Sequence, residues 1–316
     1  GHVNYNLNRN GNISSMYQEQ YLTGGNQYSA SANEGNSKGR SVNSSLMGEW
    51  KVDKSTRVNF SGNFGYTPNQ NESNSQSASF DAPPGVNHEN LFSDFESVPR
   101  DIKVNRSENR SRSENESHRY HWAMGVMRRL NEKGTTLGLN IQNSDSWGNN
   151  ESFSLSETTY FRLKDKNGND SVLYRNQYLK SPQRNNSWRV GLSFTQPVGK
   201  KVRLRVAYNW STRYERSNRD TYELSSLASS DIYGELPSGY EAGYVDSLSN
   251  RSHSRSNGHD LNVGVNYSDD TWMFNASLGV TPQRRTIDRK VGKLYADTAM
   301  NMIDFQPMIW MSWRKK

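Results

Sequence analysis

Ser187-Trp188-Arg189-Val190-Gly191-Leu192-Ser193-Phe194 runs into Pro197-Val198-Gly199-Lys200 and returns as Val202-Arg203-Leu204-Arg205-Val206-Ala207-Tyr208-Asn209-Trp210. Trp188, Val190, Leu192 and Phe194 hold every second position, and so do Val202, Leu204, Val206, Tyr208 and Trp210. Successive strand side chains point to opposite faces, so this stretch reads as two strands, each with one apolar and one polar face. The polar face carries Arg189, Arg203, Arg205 and Asn209 and hardly a large apolar residue. A sandwich core rejects such residues, whereas a water-filled or plugged lumen accepts them.

The same period recurs on both sides. Val58, Phe60, Phe64 and Tyr66 are interleaved with Arg57, Asn59, Ser61 and Asn63. Tyr120 to Val126, Leu137 to Ile141, Leu261 to Tyr267, Trp272 to Val280 and Ile303 to Trp313 repeat it. Several runs are about 9–11 residues long, the length a tilted strand needs to cross a bilayer. Short polar turns sit at 52–55, 131–134, 198–201 and 268–270, and long polar connections are expected at 69–117, 148–185, 215–258 and 283–300. The connection 148–185 is expected to hold a hairpin of its own, Phe153 to Leu163 and Val172 to Leu179, because Asn167-Gly168 is a strong turn pair. Near the start, Val3, Tyr5 and Leu7 read as one strand and Val42, Leu46 and Trp50 as another, with a loop over 8–38 that can carry strand extensions. The alternation of short and long connections predicts an all-β fold: an antiparallel transmembrane β-barrel, partial, with about ten strands, short periplasmic turns and long extracellular loops.

Composition alone points elsewhere. The chain has 316 residues, net charge +7, 32% hydrophobic residues and no cysteine, with a mean hydropathy of −1.00. These values exclude disulfide staples, thiol chemistry and helical membrane spans, and they suit a disordered chain or a β-protein with sparse, regularly spaced apolar residues. An aromatic content of 11% argues against disorder. Gly1-His2-Val3 carries no secretory signal and Trp313-Arg314-Lys315-Lys316 falls in mid-pattern. The expectation is that 1–316 is part of a single barrel domain truncated at both ends, with no plug domain in the chain.

Aromatics mark the edges of the apolar runs. Trp50, Phe194, Tyr267, Trp272 and Trp313 flank the short turns, while Tyr66, Tyr120, Trp188 and Trp210 lie toward the long connections. Two such rows are expected as the aromatic girdle of a membrane barrel. Arg57, Asn59, Arg189, Arg203, Arg205 and Asn209 are the expected lumen-facing set, either as an anion-selective field or as partners of acidic residues on a plug or neighbouring strand. A soluble extracellular glycan-binding β-sandwich shares the alternation and stays open at this stage.

The hairpin at 187–210, with Trp50-Lys51-Val52-Asp53 leading into Val58-Asn59-Phe60-Ser61-Gly62 and the closing Met311-Ser312-Trp313-Arg314-Lys315-Lys316, resembles the outer-membrane β-barrel family of Bacteroidetes. That family is similar to the barrel part of TonB-dependent receptors, whose complete barrels have 22 strands and a plugged lumen. The resemblance covers nearly the whole chain but rests on the style of the hairpins. It implies a bacterial outer-membrane location and the binding or import of an extracellular solute. The implied partners are outer-membrane lipid and lipopolysaccharide, a plug domain and the TonB system, with no nucleic acid. No TonB box or plug is found in the sequence, so a non-transport surface barrel for adhesion or envelope assembly is the alternative.

Other candidates are weaker. Asp165-Lys166-Asn167-Gly168-Asn169-Asp170 has the look of a calcium loop, but Asn176 stands where an EF-hand needs a bidentate Glu. Arg100, Lys103, Arg106, Arg110, Arg112 and Arg119, broken by Glu108, Glu114 and Glu116, read as a solvated extracellular loop that can touch an anion. The six histidines have no metal spacing, and His118 and His121 are expected on opposite faces. Asn43 and Asn275 lie in sequons on expected strands and reflect composition. No catalytic residue, metal site or cofactor is expected, and the chain reads as a non-enzyme.

Overall fold

A computed structural model describes residues 1–21, 23, 25–226 and 233–314. Ten strands follow one another: β1 His2–Gln20, β2 Gln27–Lys51, β3 Thr56–Phe80, β4 Lys103–Arg129, β5 Thr136–Lys164, β6 Asp170–Val198, β7 Val202–Glu223, β8 Asn250–Ser268, β9 Trp272–Val291 and β10 Leu294–Trp313. They form one antiparallel sheet in the order of the chain, with β1 and β10 at its edges. The fold is all-β, with the expected ten strands and short turns at one end.

Register joins the apolar runs into a belt. Val58 faces Val126 and Phe60 faces Met124. Leu139 faces Leu192 and Ile141 faces Val190. Val190 meets Trp210 and Leu192 meets Tyr208, Val206 meets Val263, Val263 meets Leu278, and Phe274 meets Met311. Paired residues share a face, so one face of the sheet, here called the belt face, is apolar across all ten strands near the short turns. These side chains stay exposed: Leu204 is 41% exposed and Ile309 77%. A band of about nine residues per strand, at about 3.3 Å each and 35–45° of tilt, is roughly 21–24 Å tall, which matches the apolar band of a membrane barrel.

The tight turns are tied down by side chains. Asp53 Oδ1 accepts from the backbone N–H groups of Ser55 and Thr56 at 2.6 and 2.7 Å. Asp269 Oδ1 does the same for Thr271 and Trp272 at 2.9 and 2.7 Å, and its Oδ2 accepts from Tyr267 and Lys201. Those bonds, the tyrosine hydroxyl first among them, hold the Asp269 carboxyl far below the usual carboxylate range. Asn131 Oδ1 caps the turn at 131–134 by accepting from Thr135 N–H, and Gly134 takes φ 90° there. Gly199 takes φ 74° in the turn at 198–201. Both glycines supply a left-handed conformation that a side chain would resist.

The expected long connections are corrected. Most of 69–117, 148–185 and 283–300 is strand, as are the two ends of 215–258: β3 continues to Phe80, β5 and β6 run unbroken to a turn at 165–169, and β9 meets β10 across Gly292-Lys293. The hairpin expected within 148–185 is therefore the upper end of the same β5–β6 ribbon. The arginine-rich stretch beyond 103 is β4 itself, with Arg106 paired to Glu108 at 2.6 Å and Arg112 to Glu114 at 2.7 Å. Above the belt, outside two patches covered by loops, both faces are polar, so the apolar period disappears while the backbone ladder goes on.

Two connections remain, 81–102 and 224–249, and their described residues fold back on the belt face at its far end. Leu91, Phe95 and Val98 pack with Tyr28, Ala30, Ala78 and Phe80, with Phe80 0% and Phe95 1% exposed. Lys103 Nζ stands 4.4 Å from the Phe95 ring centre and 4.0 Å from Glu96. In the second cluster Tyr178 is 1% exposed and lies against Phe153, Tyr222 and Tyr240 with ring centres 4.9, 5.7 and 5.7 Å away.

Candidate functional site

The polar face is curled. One cavity of about 680 Å³ is lined from eight strands, including Asn59 of β3, Gly125 of β4, Gly138 of β5, Asn262 of β8, Asn275 of β9 and Met308 of β10. A flat sheet cannot bring β3 and β10 to one cavity, so the sheet wraps round this face. A second cavity of about 440 Å³ shares Gln142 and Arg189 with the first and adds His121, Arg213, Glu215 and Arg285. A third, about 900 Å³, shares Glu215 and Arg285 and is walled by Asn71, Ser113, Asn115, Asn150, Gln183 and Ser217. The three join into one groove running from the short-turn end to the far end.

Five of the six expected lumen residues, Asn59, Arg189, Arg203, Arg205 and Asn209, line the lowest cavity together. Arg57 sits beside it on the same face of β3 and approaches Glu49 at 4.0 Å. Asn209 donates to Asp260 Oδ1 at 3.0 Å, and Thr281 donates to its Oδ2 at 3.0 Å. Higher up, Glu215 is held between Arg213 at 2.6 Å and Arg285 at 3.7 Å. Arg189, Arg203 and Arg205 form no ion pair among the described residues. Fixed cations on a concave wall give a field that attracts anions and hydrogen-bonding solutes. Glycines alternate with longer polar groups here: Gly125 lies against Asn59 and Gly191 against Asn209, so the amides stand where larger neighbours would crowd them.

The nine expected girdle residues fall on the belt face by register. Trp50 is opposite Val58 and Tyr66 opposite Val42. Tyr120 is opposite Phe64, Trp188 opposite Thr212, Phe194 opposite Val206 and Trp210 opposite Val190. Tyr267 is opposite Phe274, while Trp272 and Trp313 pair with each other, ring centres 6.4 Å apart. Trp147 and His118 also belong to the upper row: His118 stacks on Trp147 at 5.0 Å and lies 4.7 Å from Tyr66, whose hydroxyl donates to Glu116 at 3.0 Å. They sit where the reading by apolar runs had already ended. Glu215, Arg213 and Arg285 were missed for the same reason, since their strands continue through stretches with no apolar alternation.

At the other end of the β5–β6 ribbon, Asp165 Oδ1 accepts from the N–H groups of Asn167 and Asn169, each at 2.8 Å. Asp170 pairs with Lys164 at 2.7 Å and with Arg100, and the Lys164 bond holds its carboxyl below the usual range. These contacts make 165–170 a capped hairpin tip. No cluster of three metal-ligating side chains occurs among the described residues.

No protein-family model matches the chain, and no curated protein matches it. Among solved structures, the outer membrane protease OmpT from Escherichia coli matches over 98% of this chain and 96% of its own, at 10% identity and TM-score 0.29. The translocator domain of the autotransporter NalP from Neisseria meningitidis matches over 99% and 87%, at 9% identity and TM-score 0.17. The ferric citrate transporter FecA in its unliganded form matches over 96% of this chain and 59% of that one, at 7% identity and TM-score 0.18. One expectation is corrected here: a protease stands among these matches, so the exclusion of an enzyme does not hold. At these scores the matches transfer no residue role to this chain.

Proposed function

We propose that this chain is a membrane-embedded wall of a bacterial outer-membrane barrel, the barrel segment of a TonB-dependent-receptor-like protein that binds or imports an extracellular solute. The observation that carries the reading is the pairing of two faces on the same strands. One is an exposed apolar belt rimmed with tryptophan and tyrosine, and the other is a continuous polar groove bearing Arg189, Arg203 and Arg205 without acid partners. A sheet with that division is stable only with lipid on one side and water on the other. The arginines favour an anionic or strongly hydrogen-bonding solute. The open edges β1 and β10 need strand partners in a membrane, because an unpaired strand edge in hydrocarbon leaves its N–H and C=O groups unsatisfied.

The test has two parts. Cell fractionation places the protein in the outer membrane, extracted only by detergent; a soluble monomer sinks the reading. In planar bilayers the protein, with its barrel completed, prefers anions over cations, and replacing Arg189, Arg203 and Arg205 with Gln removes the preference. Unchanged selectivity in that triple variant contradicts the role given to the groove.

A further inference from the structure

We propose that the belt face carries a binding site for the phosphate of a membrane-lipid headgroup, made by Arg184, Arg216, Arg255 and Arg284. This rests on the membrane reading above and adds a specific lipid contact to it. The four arginines come from four consecutive strands and from stretches read as polar connections in the sequence. Arg184 of β6 is directly opposite Arg216 of β7. Arg216 is opposite His253 of β8, which puts Arg255 on its diagonal. Arg255 is opposite Thr286 of β9, which puts Arg284 on its diagonal. Opposite residues of an antiparallel pair stand about 5 Å apart and diagonal ones about 7–8 Å, so the four form one contiguous basic strip.

Its height is set by the aromatic row. Arg284 faces Asn257, Asn257 faces Thr212, and Thr212 faces Trp188, so Arg284 shares a cross-strand row with a girdle tryptophan. Arg255 lies one row further out, beside Tyr214, and Arg184 and Arg216 one row beyond that, beside Trp147. The strip therefore lies at and beyond the aromatic row, on the side away from the short turns, where headgroups border the apolar band.

Like charges placed directly across a strand pair repel, yet the protein supplies little to neutralise them. Arg184 pairs with Asp145 at 3.0 Å. Arg216 can donate to the neutral side-chain amide of Asn218, at 3.1 Å, when that amide is turned so that its oxygen faces the guanidinium. Arg216, Arg255 and Arg284 have no ion pair among the described residues; Asp288, on the diagonal of Arg255, is one nearby acid, and it accepts from the Tyr295 hydroxyl at 3.5 Å. On the opposite face of the same strands, Arg213 and Arg285 do share an acid, Glu215. All four belt-face arginines are exposed. Planar guanidinium groups bind phosphate through paired N–H donors, and a single lipid phosphate can be gripped by two neighbours.

The test uses the full chain in phosphatidylcholine vesicles doped with spin-labelled phosphatidic acid or spin-labelled phosphatidylcholine, reading the motionally restricted lipid at the protein surface. The wild type selects phosphatidic acid, with about fivefold in relative association for each arginine that engages and a loss of selection as salt is raised. Arg255→Gln weakens selection by about that factor, and the quadruple Gln variant brings it close to that of phosphatidylcholine. Restricted lipid with no headgroup selection, or selection unchanged in the quadruple variant, overturns this proposal alone. Absence of any restricted lipid overturns the membrane reading and this proposal with it. Inorganic phosphate at millimolar concentration should leave the selection in place; abolition by it shows a free-phosphate site and contradicts the lipid assignment.

Discussion

At the scale of single residues, parity decides what a substitution does. Leu204 and Phe274 lie on the belt face, whereas Asn209 lines the groove. Replacing Leu204 or Phe274 with Arg should cost about 2–4 kcal/mol if each meets lipid near the midplane, while Asn209→Arg should be mild; reversible unfolding into urea from vesicles checks it, and equal costs at the three sites count against the account. A second prediction concerns Tyr233, whose hydroxyl donates to the carbonyls of Arg110 and Phe153 at 2.7 and 3.0 Å. Burial pushes its pKa up from 10.0 to about 12. The folded state therefore favours the neutral phenol, and the anchoring it provides is complete below the unfolded pKa and is lost as pH rises from about 10 to about 12. Loop 224–249 should become protease-sensitive over that window, and Tyr233→Phe, which removes both bonds, should make it so at neutral pH. What the sequence showed at this scale were residues inside apolar alternation, such as Trp188 and Arg203. Glu215 was hidden because Tyr214 is the one apolar residue in Arg213-Tyr214-Glu215-Arg216-Ser217, a stretch where either face could be wet.

At the scale of elements, the ladder and the loops obey different rules. Short turns were legible because Asp53, Asn131 and Asp269 are turn-formers with a mechanism: a carboxylate or amide that accepts from the N–H groups two to four residues on. Asp269→Asn keeps the acceptor and should refold well, whereas Asp269→Ala frees the Thr271 and Trp272 N–H groups and should lower the refolding yield into vesicles. The upper strands were not legible, because Asn, Ser and Arg alternate with one another there and no hydrophobic period distinguishes a paired strand from a polar loop. Nor could the sequence show that 81–102 and 224–249 turn back onto the belt face instead of over the groove. Phe95→Ala should cost about 3–5 kcal/mol at its site and release loop 81–102 to proteolysis without changing the sheet; loss of the whole fold in that variant would show that the loop does more than cover its own patch.

At the scale of the whole molecule, a mean hydropathy of −1.00 describes a sheet whose apolar residues are concentrated in one band on one face, with two smaller clusters under the far-end loops. The groove, the turns and most of the upper strands are polar. The account holds that band to be lipid-facing and the groove to be water-facing, and the absence of cysteine makes this directly measurable. Single cysteines placed in turn at positions 203 to 210 of β7, each spin-labelled in vesicles, report contact with oxygen dissolved in lipid and with a polar nickel reagent in water. The prediction is a strict period of two, with Leu204, Val206 and Tyr208 positions open to oxygen and Arg203, Arg205 and Asn209 positions open to nickel. Water access at both sets, or no alternation along the strand, would contradict it.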